Sequence, residues 1–212
     1  MTHIDYTLYL VTDRSVMSAK SLEQAVEQAI QGGCTVVQLR EKYASSREFF
    51  ETAQRVKQIT DSYHIPLIIN DRTDICLAVN AAGIHIGQQD LPAKIVRSMV
   101  GPDKIIGVSA ATLSEAVQAE QDGADYLGVG AMFATSTKTN TRPVTIERLT
   151  QIKQAVQIPV VAIGGIQSSN VTTLTDTSID GIAVVSAILA QENITHAAEQ
   201  LKACFTGAGH EV

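Results

Sequence analysis

The sequence predicts an α/β fold, a closed parallel (β/α)8 barrel of the TIM-barrel type, in one domain over residues 1–212. Three observations predict it. Eight short β-branched runs recur along the chain, the segments between them place apolar residues at helical spacing, and the joints from helix to strand are marked by Gly or Pro. Strands that are apolar almost throughout are buried on both faces, which is the pattern of a parallel sheet covered by helices.

LYLVT (8–12) is the first strand, and the TDRS that follows it has no G-x-G-x-x-G, which argues against an open dinucleotide-binding sheet. Leu22, Ala25, Val26, Ala29 and Ile30 then form one apolar helical stripe, stopped by the glycines of QGGCT. TVVQLR (35–40) is the second strand. HIPL breaks the next helix before PLIIN (66–70), and AAGI precedes GIHIG (83–87). KIIGVS (104–109) is the fifth strand, with Ala116, Val117 and Ala119 on the helix after it. DGADY leads into YLGVG (126–130), QIPV into PVVAIGG (159–165), and SIDGI into GIAVVS (181–186). Each gap has room for one helix, and no linker or low-complexity segment divides the chain.

A net charge of -6 and a pI near 5.3 leave no basic stripe to displace counterions from a nucleic-acid backbone, so no nucleic-acid partner is expected and any anion site must be local. The N-terminal MTHIDYTLYLVTDR lacks the pattern of an export signal, and no apolar run is long enough to span a bilayer. A cytoplasmic setting without a membrane partner is therefore expected. Cys34, Cys76 and Cys204 are odd in number and widely spaced, which suggests small buried hydrophobes and neither a disulfide framework nor a zinc site. The sequence leaves open whether the barrel forms a homo-oligomer.

In such barrels the chemistry sits at the C-terminal strand ends. The second strand ends QLREK, where a period of two puts Gln38, Arg40 and Lys42 on the face of the barrel mouth and Leu39 on the other. Three alternating polar residues are costly to bury without a ligand or partner, although Arg40 could simply pair with an inward carboxylate. The third strand delivers Asn70 and Asp71, and GQQD after the fourth delivers Asp90. Carboxylates on adjacent strands, about 5 Å apart, can share one hard cation, here Mg²⁺ with a polyphosphate. Taken singly, Asp71 reads equally as a helix N-cap and Asp90 as a turn residue. Ser109 ends the fifth strand and is otherwise an N-cap candidate. Gly165, Val185 and Ser186 end the last two strands, with Ser186 leading into the last helix. A phosphate commonly sits at that place in barrels, where glycine lets backbone N–H groups approach it.

Two anion sites follow, a monophosphate cradle near Gly165 and Ser186 and a cation-assisted pyrophosphate site near Arg40, Lys42, Asp71 and Asp90. A pyrophosphate carries about three negative charges near neutral pH. Mg²⁺ with two aspartates sums to zero, so Arg40 and Lys42 balance those charges only with a third cation. Lys138, in the hydroxyl-rich, acid-free loop of VGAMFATSTKTNTRPV (129–144), is the candidate.

QLREK, IINDRTDICLAVNAAGIHIGQQDLP, GVS, the Thr-x-Thr-Lys of TSTK, VVAIGGI and AVVSAI come in the order found in the thiamine phosphate synthase family, which the chain resembles from its first strand to its last helix. The resemblance implies a Mg²⁺-assisted transferase that joins hydroxymethylpyrimidine diphosphate to hydroxyethylthiazole phosphate, or a thiazole carboxylate phosphate form, with release of pyrophosphate. It implies that Gln38, Leu39, Arg40, Glu41, Lys42, Asn70, Ser109 and Lys138 hold the pyrimidine diphosphate, with Arg40, Lys42, Ser109 and Lys138 the catalytic set. Asp71 and Asp90 would hold the metal, and Thr135, Ser136, Thr137, Gly165, Val185 and Ser186 the thiazole phosphate. Ala134 and Ser136 stand where the family often has proline, and Asn140 where an aspartate often follows the lysine. The implied substitution is dissociative and needs no strong general base, in keeping with a sequence that shows no obvious nucleophile–base pair and whose His85 reads as a packed or hydrogen-bonded barrel residue. A thiazole tautomerase and a non-catalytic phosphate-binding regulatory barrel are the alternatives. Neither would need Gln38, Lys42, Asp71 and Asp90 together.

Overall fold

The computed structural model describes residues 4–135 and 142–207. Among them are eight parallel strands, β1 (Leu8–Val11), β2 (Val36–Leu39), β3 (Leu67–Asn70), β4 (Gly83–Ile86), β5 (Ile105–Ala110), β6 (Tyr126–Val129), β7 (Val160–Ile163) and β8 (Gly181–Val184). Each pairs with the next and β8 pairs with β1, closing the barrel expected from the sequence. The strand ends fall within two residues of the β-branched runs.

The helices are α1 (Leu22–Gln31), α2 (Ser46–Ser62), α3 (Thr73–Ala78), α4 (Ala93–Val100), α5 (Leu113–Gln121), α6 (Ile146–Ala155), α7 (Ser186–Leu189) and α8 (Ile194–Thr206). Five of them start where a hydroxyl or amide side chain accepts from a free first-turn N–H: Ser21 caps α1, Thr145 caps α6, Asn193 caps α8, and Ser45 and Thr112 make reciprocal boxes with Glu48 and Glu115. The predicted stripe Leu22, Ala25, Val26, Ala29 and Ile30 is buried on α1. It packs with Leu8, Leu10, Val37, Leu39, Leu67 and Ile69 in the layer between strands and helices. The alternate positions Tyr9, Val11, Val36, Ile68, Tyr126 and Val161 fill the barrel interior.

Two expectations are corrected. The gap between β7 and β8 holds a 3-10 segment, Val171–Thr177, in place of an α-helix. Its sequence, VTTLTDT, is rich in β-branched residues, and Thr173, Thr175 and Thr177 turn their hydroxyls back to carbonyls three residues earlier, the spacing of the tighter helix. Ser186 opens only the four-residue α7, and α8 starts afresh after the Asn193 cap.

Cys34 and Cys76 are buried and free, with burial pushing their thiols up to about 12 and about 11; Cys204 is free and half-buried. Among the described residues no helix is long and apolar enough to cross a membrane.

Candidate active site

The barrel mouth is built from the ends of β1 to β5 and from the turns after β6 to β8. On β2 the period of two holds: Gln38 points inward and is 4% exposed, while Leu39 is buried in the outer layer. Arg40 donates from Nη1 to Asp13 Oδ2 at 2.6 Å and from its backbone to Thr12 Oγ1 at 3.0 Å. The inward carboxylate considered as a partner for Arg40 is thus Asp13, two residues past the end of β1 and in phase with Tyr9 and Val11. Burial would raise the Asp13 carboxyl, but two hydrogen bonds from Ser15 and the Arg40 guanidinium outweigh it and leave it below its ordinary range. Glu41 is bound to Arg14 at 2.6 Å. With Leu39 in the core and Glu41 so engaged, any ligand contact at these two positions falls to the backbone.

Lys42 Nζ lies 2.5 Å from Asp71 Oδ2. Asp71 occupies a left-handed conformation, φ 62°, and its N–H donates to His85 O, which turns its carboxylate to the mouth. It is not the cap of α3, whose N-cap position is Arg72 without a side-chain bond. Asp90 accepts from Gly87 N at 2.7 Å, the turn role foreseen for it, and also meets Asp71. Burial comes first among the causes that raise the Asp90 carboxyl, and the neighbouring Asp71 charge adds to it.

Among the described residues no three His, Cys, Asp or Glu side chains gather as a metal cage. Two hard carboxylates in contact nevertheless fit Mg²⁺, which keeps several waters and usually takes one or two carboxylates together with substrate phosphates. A divalent cation here would relieve the repulsion that raises Asp90.

Asn70 ends β3 beside His85. Ser109 lies inside β5, and the N-cap of α5 is Thr112, so the capping alternative for Ser109 does not apply. Its Oγ stands 2.9 Å from His85 Nε2, while His85 Nδ1 lies 2.9 Å from the Tyr126 hydroxyl. His85 is thus the hydrogen-bonded barrel residue read from the sequence, although 2.9 Å to Ser109 is also the spacing of a nucleophile and a base. The pair differs from an activated serine in what holds Nδ1. A phenol, raised far above its ordinary range by burial, meets the nitrogen that a carboxylate orients in a hydrolytic triad.

The turn after β6 runs beside β7, with Met132 N donating to Ile163 O and Phe133 N to Gly164 O. Gly165 has φ 65°, and a Cβ there would come within 2.5 Å of Ala134 O, so the glycine is demanded first by the crossing of these two turns. The register Ile163↔Ala183 sets Gly165 level with Val185, and exposed Ser186 follows. Thr135, half-buried, is the last described residue before 142. Ser136, Thr137, Lys138 and Asn140 lie outside the described residues.

Sequence reasoning did not single out Asp13, Tyr9 or Tyr126. Asp13 carried a signal, being in phase with the inward positions of β1. The tyrosines carried little, because an aromatic residue is ordinary in a strand.

The family model of thiamine monophosphate synthase matches residues 8–188. The thiamine-phosphate synthase of Ruminiclostridium cellulolyticum is 60% identical over 202 residues, covering 95% of this chain and 96% of its own. That of Clostridium tetani is 58% identical over 203 residues, covering 96% and 97%. The structure of thiamine phosphate pyrophosphorylase from Pyrococcus furiosus superposes with a TM-score of 0.89 at 38% identity, covering 97% of this chain and 98% of that one.

Proposed function

The chain belongs to the thiamine monophosphate synthase family of transferases, and on that premise we propose that it joins hydroxymethylpyrimidine diphosphate to hydroxyethylthiazole phosphate with release of pyrophosphate. The observation that carries this reading is the rim where Lys42 meets the carboxylates of Asp71 and Asp90, with Arg40 two residues before it on the same strand end and paired to Asp13. Cations beside a carboxylate pair suit a magnesium diphosphate better than a bare phosphate.

In this reading Arg40 and Lys42 bind the diphosphate, with Lys138 contributing the third positive charge. Lys42 now lies on Asp71, so binding of the diphosphate would draw its ammonium toward the phosphate oxygens. Asp71 and Asp90 would hold Mg²⁺, which when bound offsets charge on the leaving group. Gln38, Asn70 and Ser109 take the pyrimidine. Thr135, Ser136, Thr137, Gly165, Val185 and Ser186 take the thiazole phosphate, by hydroxyls and by the backbone that glycine exposes. The pyrophosphate departs from the exocyclic methylene with its bonding electron pair, electron donation by the aminopyrimidine ring stabilises the cation, and the thiazole nitrogen closes the new C–N bond. The chain's own residues contribute fixed charge and positioning.

The test is an assay with both substrates and Mg²⁺, following pyrophosphate and thiamine phosphate together. One pyrophosphate per thiamine phosphate is expected, with loss of both on chelation by EDTA. No product with both substrates and metal present would overturn the reading.

A further inference from the structure

Five polar side chains from five strands or strand ends form one unbroken hydrogen-bonded chain across the barrel interior. Gln38 Nε2 donates to Tyr9 Oη at 2.9 Å, Tyr9 Oη lies 2.7 Å from Tyr126 Oη, Tyr126 Oη 2.9 Å from His85 Nδ1, and His85 Nε2 2.9 Å from Ser109 Oγ. We propose that this chain is a directional relay that fixes the Gln38 amide and the Ser109 hydroxyl for the pyrimidine, with Tyr9, Tyr126 and His85 as positioning residues. The proposal rests on the reading of Gln38 and Ser109 as pyrimidine contacts.

Direction follows from counting hydrogens. A tyrosine hydroxyl has one, and a neutral imidazole has one for two nitrogens. Since Gln38 donates to Tyr9, and a buried hydroxyl hydrogen left without an acceptor is costly, Tyr9 donates to Tyr126 and Tyr126 to His85 Nδ1. His85 then carries its hydrogen on Nε2 and donates to Ser109, leaving the Ser109 hydrogen for a ligand. Gln38 Oε1 is left as an acceptor at the other end. An aminopyrimidine presents N–H donors beside ring-nitrogen acceptors, the complement of this pair. Turning the Gln38 amide over would reverse every link and offer an N–H at Gln38 and a lone pair at Ser109. One choice at one end therefore sets both.

Two further observations indicate that the barrel is built around the relay. Gly107 and Gly128 are inward positions with no side chain. A Cβ at Gly107 would lie 2.1 Å from Tyr126 Cζ, and one at Gly128 would lie 3.0 Å from His85 Cε1. Both tyrosines are also fully buried, where an unmade hydroxyl bond is costly, which favours the fully paired arrangement.

The test begins with ¹⁵N NMR of the substrate-free protein labelled at histidine, with the His85 signals assigned by their absence in His85→Asn. A neutral ring with bare Nδ1 and Nε2–H is expected; an Nδ1–H tautomer would overturn the proposed direction. In kinetics, Tyr126→Phe should raise KM for the pyrimidine diphosphate about tenfold, the scale of a hydrogen bond, and leave KM for the thiazole phosphate unchanged. Tyr6→Phe, at a tilted ring whose centroid lies 4.8 Å from that of Tyr126 but outside the relay, should change neither. Equal change in both KM values, or none, would reduce the tyrosines to packing. If the tautomer is as expected while the wild-type protein forms no product, the substrates are wrong and the relay's role toward the pyrimidine falls with them, while its direction stands.

Discussion

Asp90 is the residue at which binding and folding pull in opposite directions. Burial and the Asp71 charge raise its carboxyl, so keeping it ionised at neutral pH costs folding free energy that a bound cation would return. Asn at this position keeps an oxygen to accept from Gly87 N, at 2.7 Å in the wild type, and removes the repelling charge. Because Asp90 is an exposed residue, water screens this repulsion, and Asp90→Asn should raise Tm by only about 1–2 °C, the equivalent of about half a kcal/mol in a chain of this size, while turnover with Mg²⁺ falls at least about tenfold. Scanning calorimetry beside the pyrophosphate assay checks both. A lower Tm with unchanged turnover would make Asp90 a turn residue only. Lys42 supports the same reasoning, since its contact with Asp71 at 2.5 Å places a cation where the carboxylates need one.

Among the elements, the two turns after β6 and β7 depend on each other, and Gly165 is their hinge point. Alanine at φ 65° costs about 1–2 kcal/mol by itself, and its Cβ would also press on Ala134 O at 2.5 Å, next to Thr135. Gly165→Ala should raise KM for the thiazole phosphate about tenfold or more while leaving KM for the pyrimidine diphosphate within about twofold; an equal rise in both would show a general loss of fold. In the sequence the glycines at 164 and 165 read only as a candidate phosphate cradle, and their packing requirement was not legible, because a crossing turn leaves no local pattern. The strands were legible because parallel strands buried on both faces are apolar throughout. The 3-10 segment at Val171–Thr177 was not, since room for a helix says nothing of whether threonines will turn their hydroxyls onto their own backbone. Arg40 and Lys42 could be placed at the mouth by a period of two. The partnership of Tyr9 with Tyr126 could not, because the two are 117 residues apart and meet only once the barrel has closed.

Around the whole molecule, ion pairs tie successive βα units together. Asp13 on the turn after β1 holds Arg40 after β2, Glu23 on α1 holds Arg55 on α2, and Glu115 on α5 holds Arg142 ahead of α6. Each of the three carboxyls lies below its ordinary value of 3.8 for Asp or 4.5 for Glu, with Arg55 and Arg142 the leading causes at Glu23 and Glu115. An acid depressed by folding contributes stability above its unfolded pKa and loses that contribution as pH falls through its folded pKa. Asp90, raised by folding, has the opposite sign and recovers some stability as it protonates, so it offsets part of the loss. The three depressed carboxyls outnumber it, and Tm should stay level from about pH 8 to 6 and fall steadily below about pH 4.5. Because Arg55 and Arg142 are half-exposed, each of their pairs contributes about 1 kcal/mol or less, and the decline should be gradual and reduced in high salt. Glu115→Gln should flatten the acid limb, since it removes one titrating carboxyl while an amide oxygen can still accept from Ala111 and Thr112. Thermal melts across pH at low and high salt decide it: an acid limb as steep in Glu115→Gln as in the wild type would assign the acid sensitivity to carboxyls elsewhere than the α5–α6 tie.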